Sequence, residues 1–373
     1  MTETQGLEDV VAADSAISYI DGNQGILSYR GIDIHELATK SSFEEVCFLL
    51  WEGRLPKRDE LDVLRRRIGS ERAVPRELFG LLATVARDAA PMDSLRTAVS
   101  ALAASDPDVS AMSPEANRRK AVRLTAQLAT LVAAIHRLRQ GKAVVPPDPG
   151  RPHADDFLRM LSGETARTAA VRAFDTALVL HADHELNAST FAARVTAATL
   201  ADMHAAVVSA IATLKGPLHG GANEGVMRML EEIGSLERAD DYVKAKLSRR
   251  EKIMGFGHRV YTTEDPRATH LREMSREVAE SSGDTRWYDL SRRIEQVVRA
   301  EKNLNANVDF YSASLYHMLG IPGDLFTPIF AVSRVAGWTA HVLEQYAHNR
   351  LIRPRAEYTG PAYPQRYVEI EKR

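Results

Sequence analysis

Along most of the chain, apolar residues recur three and four positions apart, the period of one face of an α-helix. Ser42 followed by Glu45 reads as a capping box, which predicts a helix over Phe43–Glu52 ended by Gly53 and Pro56. Pro56–Ile68 repeats the pattern with Leu61, Leu64 and Ile68 on one face. Ser113-Pro114 opens a long helix expected to reach Gln140, where Gly141 stops it. The Pro-rich connector that follows, Val144–Pro152 (VVPPDPGRP), cannot stay helical. From Thr165 to Lys215 the chain is rich in alanine and poor in breakers, which suits helices packed axis to axis at the centre of a domain or dimer. Strand-like alternation is confined to Ile17–Tyr29, which reads as a short hairpin around Asp21-Gly22. There is no internal repeat and no low-complexity tract. The pattern predicts an all-α fold, with the glycines between Gly216 and Gly221 and between Gly320 and Gly323 as hinges for an inserted second domain.

Composition narrows the picture. The 373 residues suffice for two domains, and 45% hydrophobic with 26% charged residues is ordinary for a globular protein. A net charge of -2 offers no general attraction to nucleic acid or an anionic membrane. The single cysteine, Cys47, excludes an intramolecular disulfide and falls at a core position of the Phe43–Glu52 helix. With no basic, apolar leader and no run approaching about 18 apolar residues, a cytoplasmic location is expected.

Four segments concentrate histidine and aspartate beside glycine. In His181–Thr190 (HADHELNAST), His181 and His184 share a helix face; they read either as hydrogen-bonded core histidines or as half of a metal site whose other ligands are missing. In Lys215–Glu224 (KGPLHGGANE), glycines open access to His219, and a helix start nearby disfavours imidazolium. Such a neutral ring can donate to a carbonyl becoming an enolate, or merely cap a turn. In Lys252–Arg267 (KIMGFGHRVYTTEDPR), Gly255 and Gly257 free the main chain to wrap a flat ligand, with His258 at the exit. In Asn307–Ser312 (NVDFYS), Asp309 stands among apolar neighbours, as a general base or as a cap or salt-bridge partner. Arg267, Arg334 and Arg353 each lie near glycine or proline; they are either forks for a dicarboxylate or plain surface charges.

Taken together and in this order, these segments resemble the citrate synthase family, from about Gly6 to Pro361 and including Gly25–Leu37 (GILSYRGIDIHEL) and Pro91–Val99 (PMDSLRTAV). The resemblance implies an all-α homodimer with a large helical domain, residues 1–220 plus 321–373, and a smaller inserted helical domain, residues 221–320. It implies condensation of acetyl-CoA with oxaloacetate and water to give citrate and CoA, without a permanently bound cofactor or a metal. His219 would hold the thioester carbonyl, Asp309 would remove the α-proton, and His258 would polarise the ketone. His184, Arg267 and Arg334 would hold oxaloacetate, with Arg353 reaching into the other subunit's site. The backbone of Lys252, Ile253, Met254, Gly255 and Phe256 would cradle the adenine of CoA. The same motifs suit 2-methylcitrate synthesis from propionyl-CoA; a non-catalytic ligand-binding descendant is the remoter alternative, against which the intact trio speaks. Three positions depart from the family: Thr262 stands where members often carry Lys or Arg near the CoA phosphates, Asn305-Ala306 replaces Tyr-Pro, and Ala90 replaces a frequent His.

Overall fold

The computed structural model describes Gly6 and residues 10–373, and among these residues the fold is helical apart from one small sheet. β1 (Ser18–Asp21), β2 (Ile26–Tyr29) and β3 (Ile32–Asp33) pair antiparallel in that order, with Tyr19 opposite Ser28 and Tyr29 opposite Ile32. Six helices precede the Pro-rich connector: α1 (Ile34–Lys40), α2 (Phe43–Glu52), α3 (Arg58–Glu71), α4 (Arg76–Val85), α5 (Pro91–Leu102) and α6 (Pro114–Arg139). Ten follow it: α7 (His153–Ser162), α8 (Thr168–His181), α9 (Ala188–Ala198), α10 (Met203–Leu214), α11 (Ala222–Ile233), α12 (Ala239–Ser248), α13 (Pro266–Ser282), α14 (Arg286–Lys302), α15 (Val308–Met318) and α16 (Phe326–Ala347).

Local chemistry explains the boundaries. The Ser42 main-chain N–H donates to the Glu45 carboxylate at 3.0 Å, the Glu45 N–H donates back to Ser42 Oγ at 3.4 Å, and Gly53 closes α2 at a φ of +75°. Ser113 Oγ accepts the Ala116 N–H at 3.2 Å to start α6. α3 starts at Arg58 rather than Pro56, because Glu60 accepts the Lys57 N–H at 2.8 Å and makes Lys57 the first cap. The hairpin is present, but the third strand, two residues long, is below what alternation can signal.

α6 and α16 are buried on almost every face and pack on each other as the central pair of the molecule. α9 and α10 pack through Ala193, Ala197, Ala206 and Ala210, all with no exposed surface, so the alanine-rich stretch makes the close helix pair its composition predicts. α11 to α15 pack on one another, and this group meets α8, α1 and α16. Cys47 is fully buried, which pushes its thiol well above the usual range. Beyond α16 the chain from 348 to 369 has no regular structure and is almost entirely exposed. Among the described residues no helix is long and apolar enough to cross a membrane.

Candidate active site

The site is assembled along one side of α16, which holds the segment between α8 and α9. Arg334 Nε donates to the His181 carbonyl at 2.6 Å, the Gly337 N–H donates to the Ala182 carbonyl at 3.1 Å, and His341 Nε2 lies 3.3 Å from Asp183 Oδ1. Gly337 is required here: a Cβ on it would lie 2.4 Å from both the Ala182 carbonyl oxygen and Asp183 Oδ1. Burial alone would raise the Asp183 pKa, but His341, Arg334 and the Ser18 hydroxyl keep it below its ordinary value. Glu185 then takes a φ of +54°, an uncommon conformation outside glycine, and turns the chain into α9, which Asn187 caps by accepting the Thr190 N–H.

The turn between α10 and α11 brings His219 to the start of α9. Its Nε2 is 3.3 Å from the Ser189 N–H, a donor, and 2.8 Å from Ser189 Oγ, which also accepts from Trp338 Nε1 at 3.1 Å. A nitrogen that accepts a main-chain N–H carries a lone pair, so the ring hydrogen is on Nδ1. The helix end that meets this ring is that of α9, 30 residues earlier in sequence. Burial, with Arg334 adding to it, lowers the His219 pKa to about 4 and keeps the ring neutral.

His258 is held the opposite way round. Its Nδ1 accepts from the Val260 N–H at 2.9 Å and the Tyr261 N–H at 3.2 Å, which leaves Nε2 as the donor. Burial and the nearby Arg267 lower its pKa to about 4. Asp309 sits in the first turn of α15, which Asn307 caps by accepting the Asp309 N–H at 3.0 Å. Burial raises the Asp309 carboxyl to about 6, Asp265 adds to the effect, and Arg267 and Arg334 oppose it. The alternative readings of Asp309 as a cap or salt-bridge partner do not describe it: Asn307 is the cap, and no ion pair joins Asp309 among the described residues.

Two buried guanidiniums face this group. Arg267 makes a two-pronged pair with Asp265, Nε to Oδ1 at 2.9 Å and Nη2 to Oδ2 at 2.8 Å, while Asp265 also accepts the Val308 N–H at 3.1 Å. One carboxylate thereby ties the start of α13 to the start of α15. Arg334 is 1% exposed, stacks over the Phe330 ring at 4.6 Å and has no carboxylate partner among the described residues; burial lowers its pKa to about 10. His184 is also buried, its ring 5.5 Å from that of His258, and burial with Arg267 and Arg334 holds its pKa well below normal. His181 is a core histidine bonded to the Ala177 carbonyl at 2.7 Å, so of the two readings of the pair the hydrogen-bonded one describes it.

Beside His258 opens a cavity of about 290 Å³ whose walls include Gly257, Tyr261, Thr262, Asn305 and Asn307. The Lys252–Phe256 stretch runs past it, with Lys252 exposed and Ile253 buried. Gly255, at a φ of +81°, has Phe310 and Val226 so close that a Cβ would lie 2.8 Å from each. The Asn307 N–H donates to the Gly255 carbonyl at 2.9 Å and the Gly257 N–H to the Asn305 carbonyl at 3.1 Å, which stitches the loop to the segment leading to Asp309. Arg353 lies in the exposed C-terminal stretch, apart from these groups.

The arrangement therefore combines two neutral imidazole donors, a carboxyl with a raised pKa and two fixed cations, a set suited to carbon-acid chemistry on an anionic substrate. Known proteins share this chain's sequence and fold. The family model for "Citrate synthase, C-terminal domain" matches residues 6–355. The chain is 54% identical to citrate synthase 2 of Bacillus subtilis over 374 residues, all of both chains. The chain belongs to the citrate synthase family. A second Bacillus subtilis member, a citrate/2-methylcitrate synthase, is 43% identical over 96% of each chain. The Thermoplasma acidophilum citrate synthase, solved as a ternary complex with carboxymethyl coenzyme A and oxaloacetate, superposes with a TM-score of 0.92 at 32% identity, covering 99% of this chain and 98% of that one.

Within this citrate synthase fold, several supporting residues have roles that the motifs did not assign them. Ser189 and Trp338 orient His219, Asp265 holds Arg267, and Tyr261 meets both His184 and His258. The departures are also placed: Ala306 is buried and bridged to Phe256, and Thr262 turns its hydroxyl to the β1–β2 turn, 3.3 Å from the Gly22 carbonyl and 3.0 Å from Asn23 Oδ1.

Proposed function

We propose that the chain condenses acetyl-CoA with oxaloacetate and water to give citrate and CoA. The observation that carries this reading is the pairing of hydrogen-bond donors to His219 and His258. Each ring has one nitrogen supplied by main-chain N–H groups, so each offers the other as a neutral N–H donor. Asp309, with a pKa near 6, takes the α-proton of the thioester while His219 Nδ1–H stabilises the enolate oxygen. The enol carbon attacks the ketone of oxaloacetate, whose oxygen receives a hydrogen bond from His258 Nε2–H. Arg267, Arg334 and His184 hold the carboxylates, and water then cleaves the citryl thioester to release CoA. The backbone of Lys252–Phe256 cradles the adenine, a role favoured by the glycine conformations there.

In this reading residues 221–320 form the small domain, consistent with the mutual packing of α11 to α15, and closure over the site shields the thioester from water. The protein works as a homodimer in which Arg353, on its exposed C-terminal stretch, reaches the other subunit's oxaloacetate. The test is thiol release from acetyl-CoA and, separately, from propionyl-CoA, each with and without oxaloacetate. Oxaloacetate-dependent release from acetyl-CoA at the higher kcat/KM is the expected result. Release only from propionyl-CoA would assign the 2-methylcitrate reaction instead, and no release from either would refute the reading.

A further inference from the structure

Tyr261 is 4% exposed and touches two of the site's imidazoles at once. Its main-chain N–H donates to His258 Nδ1 at 3.2 Å, and its hydroxyl lies 3.2 Å from His184 Nε2. Its ring is 4.7 Å from that of His258 and 5.7 Å from that of His184, and the two imidazoles are 5.5 Å apart, so the three rings pack as a triangle. A neutral imidazole has one N–H. A tyrosine hydroxyl can donate to Nε2 or accept from it, so the contact holds the His184 ring in one orientation with either tautomer.

We infer that Tyr261 is a positioning residue for the dicarboxylate substrate: its hydroxyl, bonded to Nε2, holds His184 in one ring orientation, and its ring packs against both His184 and His258. Nothing in the motif or the resemblance assigns Tyr261 a role. The segment is anchored from the other side as well, since the Thr262 N–H donates to the Gly22 carbonyl at 3.0 Å. The inference rests on the assignment of His184 to the oxaloacetate site.

Tyr261→Phe keeps the ring and the main-chain donor and removes only the hydroxyl. Loss of one neutral hydrogen bond of this kind corresponds to roughly a 3–10-fold rise in KM for oxaloacetate, with KM for acetyl-CoA unchanged and kcat reduced by no more than about 2-fold. Long-range proton–nitrogen NMR on histidine-labelled protein, with His184→Gln to assign the signal, reads the Nε2 contact directly: the Nε2 resonance should move in Tyr261→Phe, where its hydroxyl partner is gone. An unchanged or lowered KM for oxaloacetate in a folded variant would overturn the inference, and so would an unmoved His184 Nε2 resonance. If the wild type releases no thiol at all, the proposed reaction fails, and the NMR comparison still decides the role of Tyr261.

Discussion

Gly22 lies in the β1–β2 turn, far in sequence from His258, yet it should govern that residue. A Cβ on Gly22 would sit 2.0 Å from the main-chain carbonyl oxygen of Val260 and 2.8 Å from its carbon. Ordinary contact begins near 3.4 Å, so the two main chains must separate by about 1.4 Å in Gly22→Ala. The obstacle is backbone on both sides, with no flexible side-chain tip to rotate away. Val260 supplies the 2.9 Å hydrogen bond that fixes His258, so its displacement reaches the imidazole directly. Overpacking of this kind costs about 1–3 kcal/mol of stability. A misplacement near 1 Å at a reacting group can cost up to ~10²-fold in rate, which sets the expectation at a ~10–100-fold loss in kcat. Gly80→Ala is the control: nothing lies within 4 Å of a Cβ there, and alanine within α4 should stabilise by roughly 0.5–1 kcal/mol. Thermal unfolding and thiol-release kinetics on both variants make the measurement. Wild-type kcat and oxaloacetate KM in Gly22→Ala would show that the turn yields alone and that the contact does not position His258.

Asp309→Asn should lower kcat by about 10²–10⁴-fold yet stabilise the fold. A carboxyl near pKa 6 in the folded state and about 3.9 unfolded binds more protons when folded, so its ionisation destabilises the protein as pH rises from about 4 to 6. After allowance for the half-buried position, the gain in Asp309→Asn is about 1–2 kcal/mol at pH 7 and absent near pH 4; equal urea midpoints at pH 7 would refute it. Ser189→Ala strips His219 of one partner and leaves the buried Trp338 N–H without one. It should cost about 1–3 kcal/mol in urea unfolding and roughly 10-fold in kcat; undiminished turnover would show that the Ser189 N–H alone orients the ring. Mixing His258→Ala and Arg353→Ala chains should restore activity in a heterodimer with one intact site, and no recovery after verified subunit exchange would place each site within one chain.

Much of the framework was readable because it is local. The Ser42–Glu45 box, the Ser113-Pro114 start and the Asp21-Gly22 turn each use residues within a few positions of one another, and α2, α6 and the hairpin form where they predict. The motif glycines likewise mark real constraints, as at Gly255. The supporting contacts of the site were not readable, because they join distant segments through side chains with no pattern of their own. Ser189 looks like any residue in a helix's first turn until the α10–α11 turn brings His219 to it. Gly337 looks like a weak point inside α16 until Ala182 and Asp183 are found against it. Asp265 reads as a helix cap, which it is, but its grip on Arg267 and its link to Val308 depend on α13 and α15 starting side by side.

The placement of charge within the site separates two kinds of pH dependence that are often entangled. Arg334, with a pKa near 10, and Arg267, raised by Asp265 against the effect of burial, keep their cations across the neutral range, while His219 and His258 stay uncharged down to about pH 4. Only Asp309 changes charge between these limits at the reacting centre. An anionic substrate therefore meets the same two cations at pH 6 and at pH 9, and Asp309 is the group whose ionisation there would alter its affinity. In the proposed reaction the acid limb of the kcat profile reports the Asp309 carboxyl in the substrate complex, and that of kcat/KM reports it in the free protein.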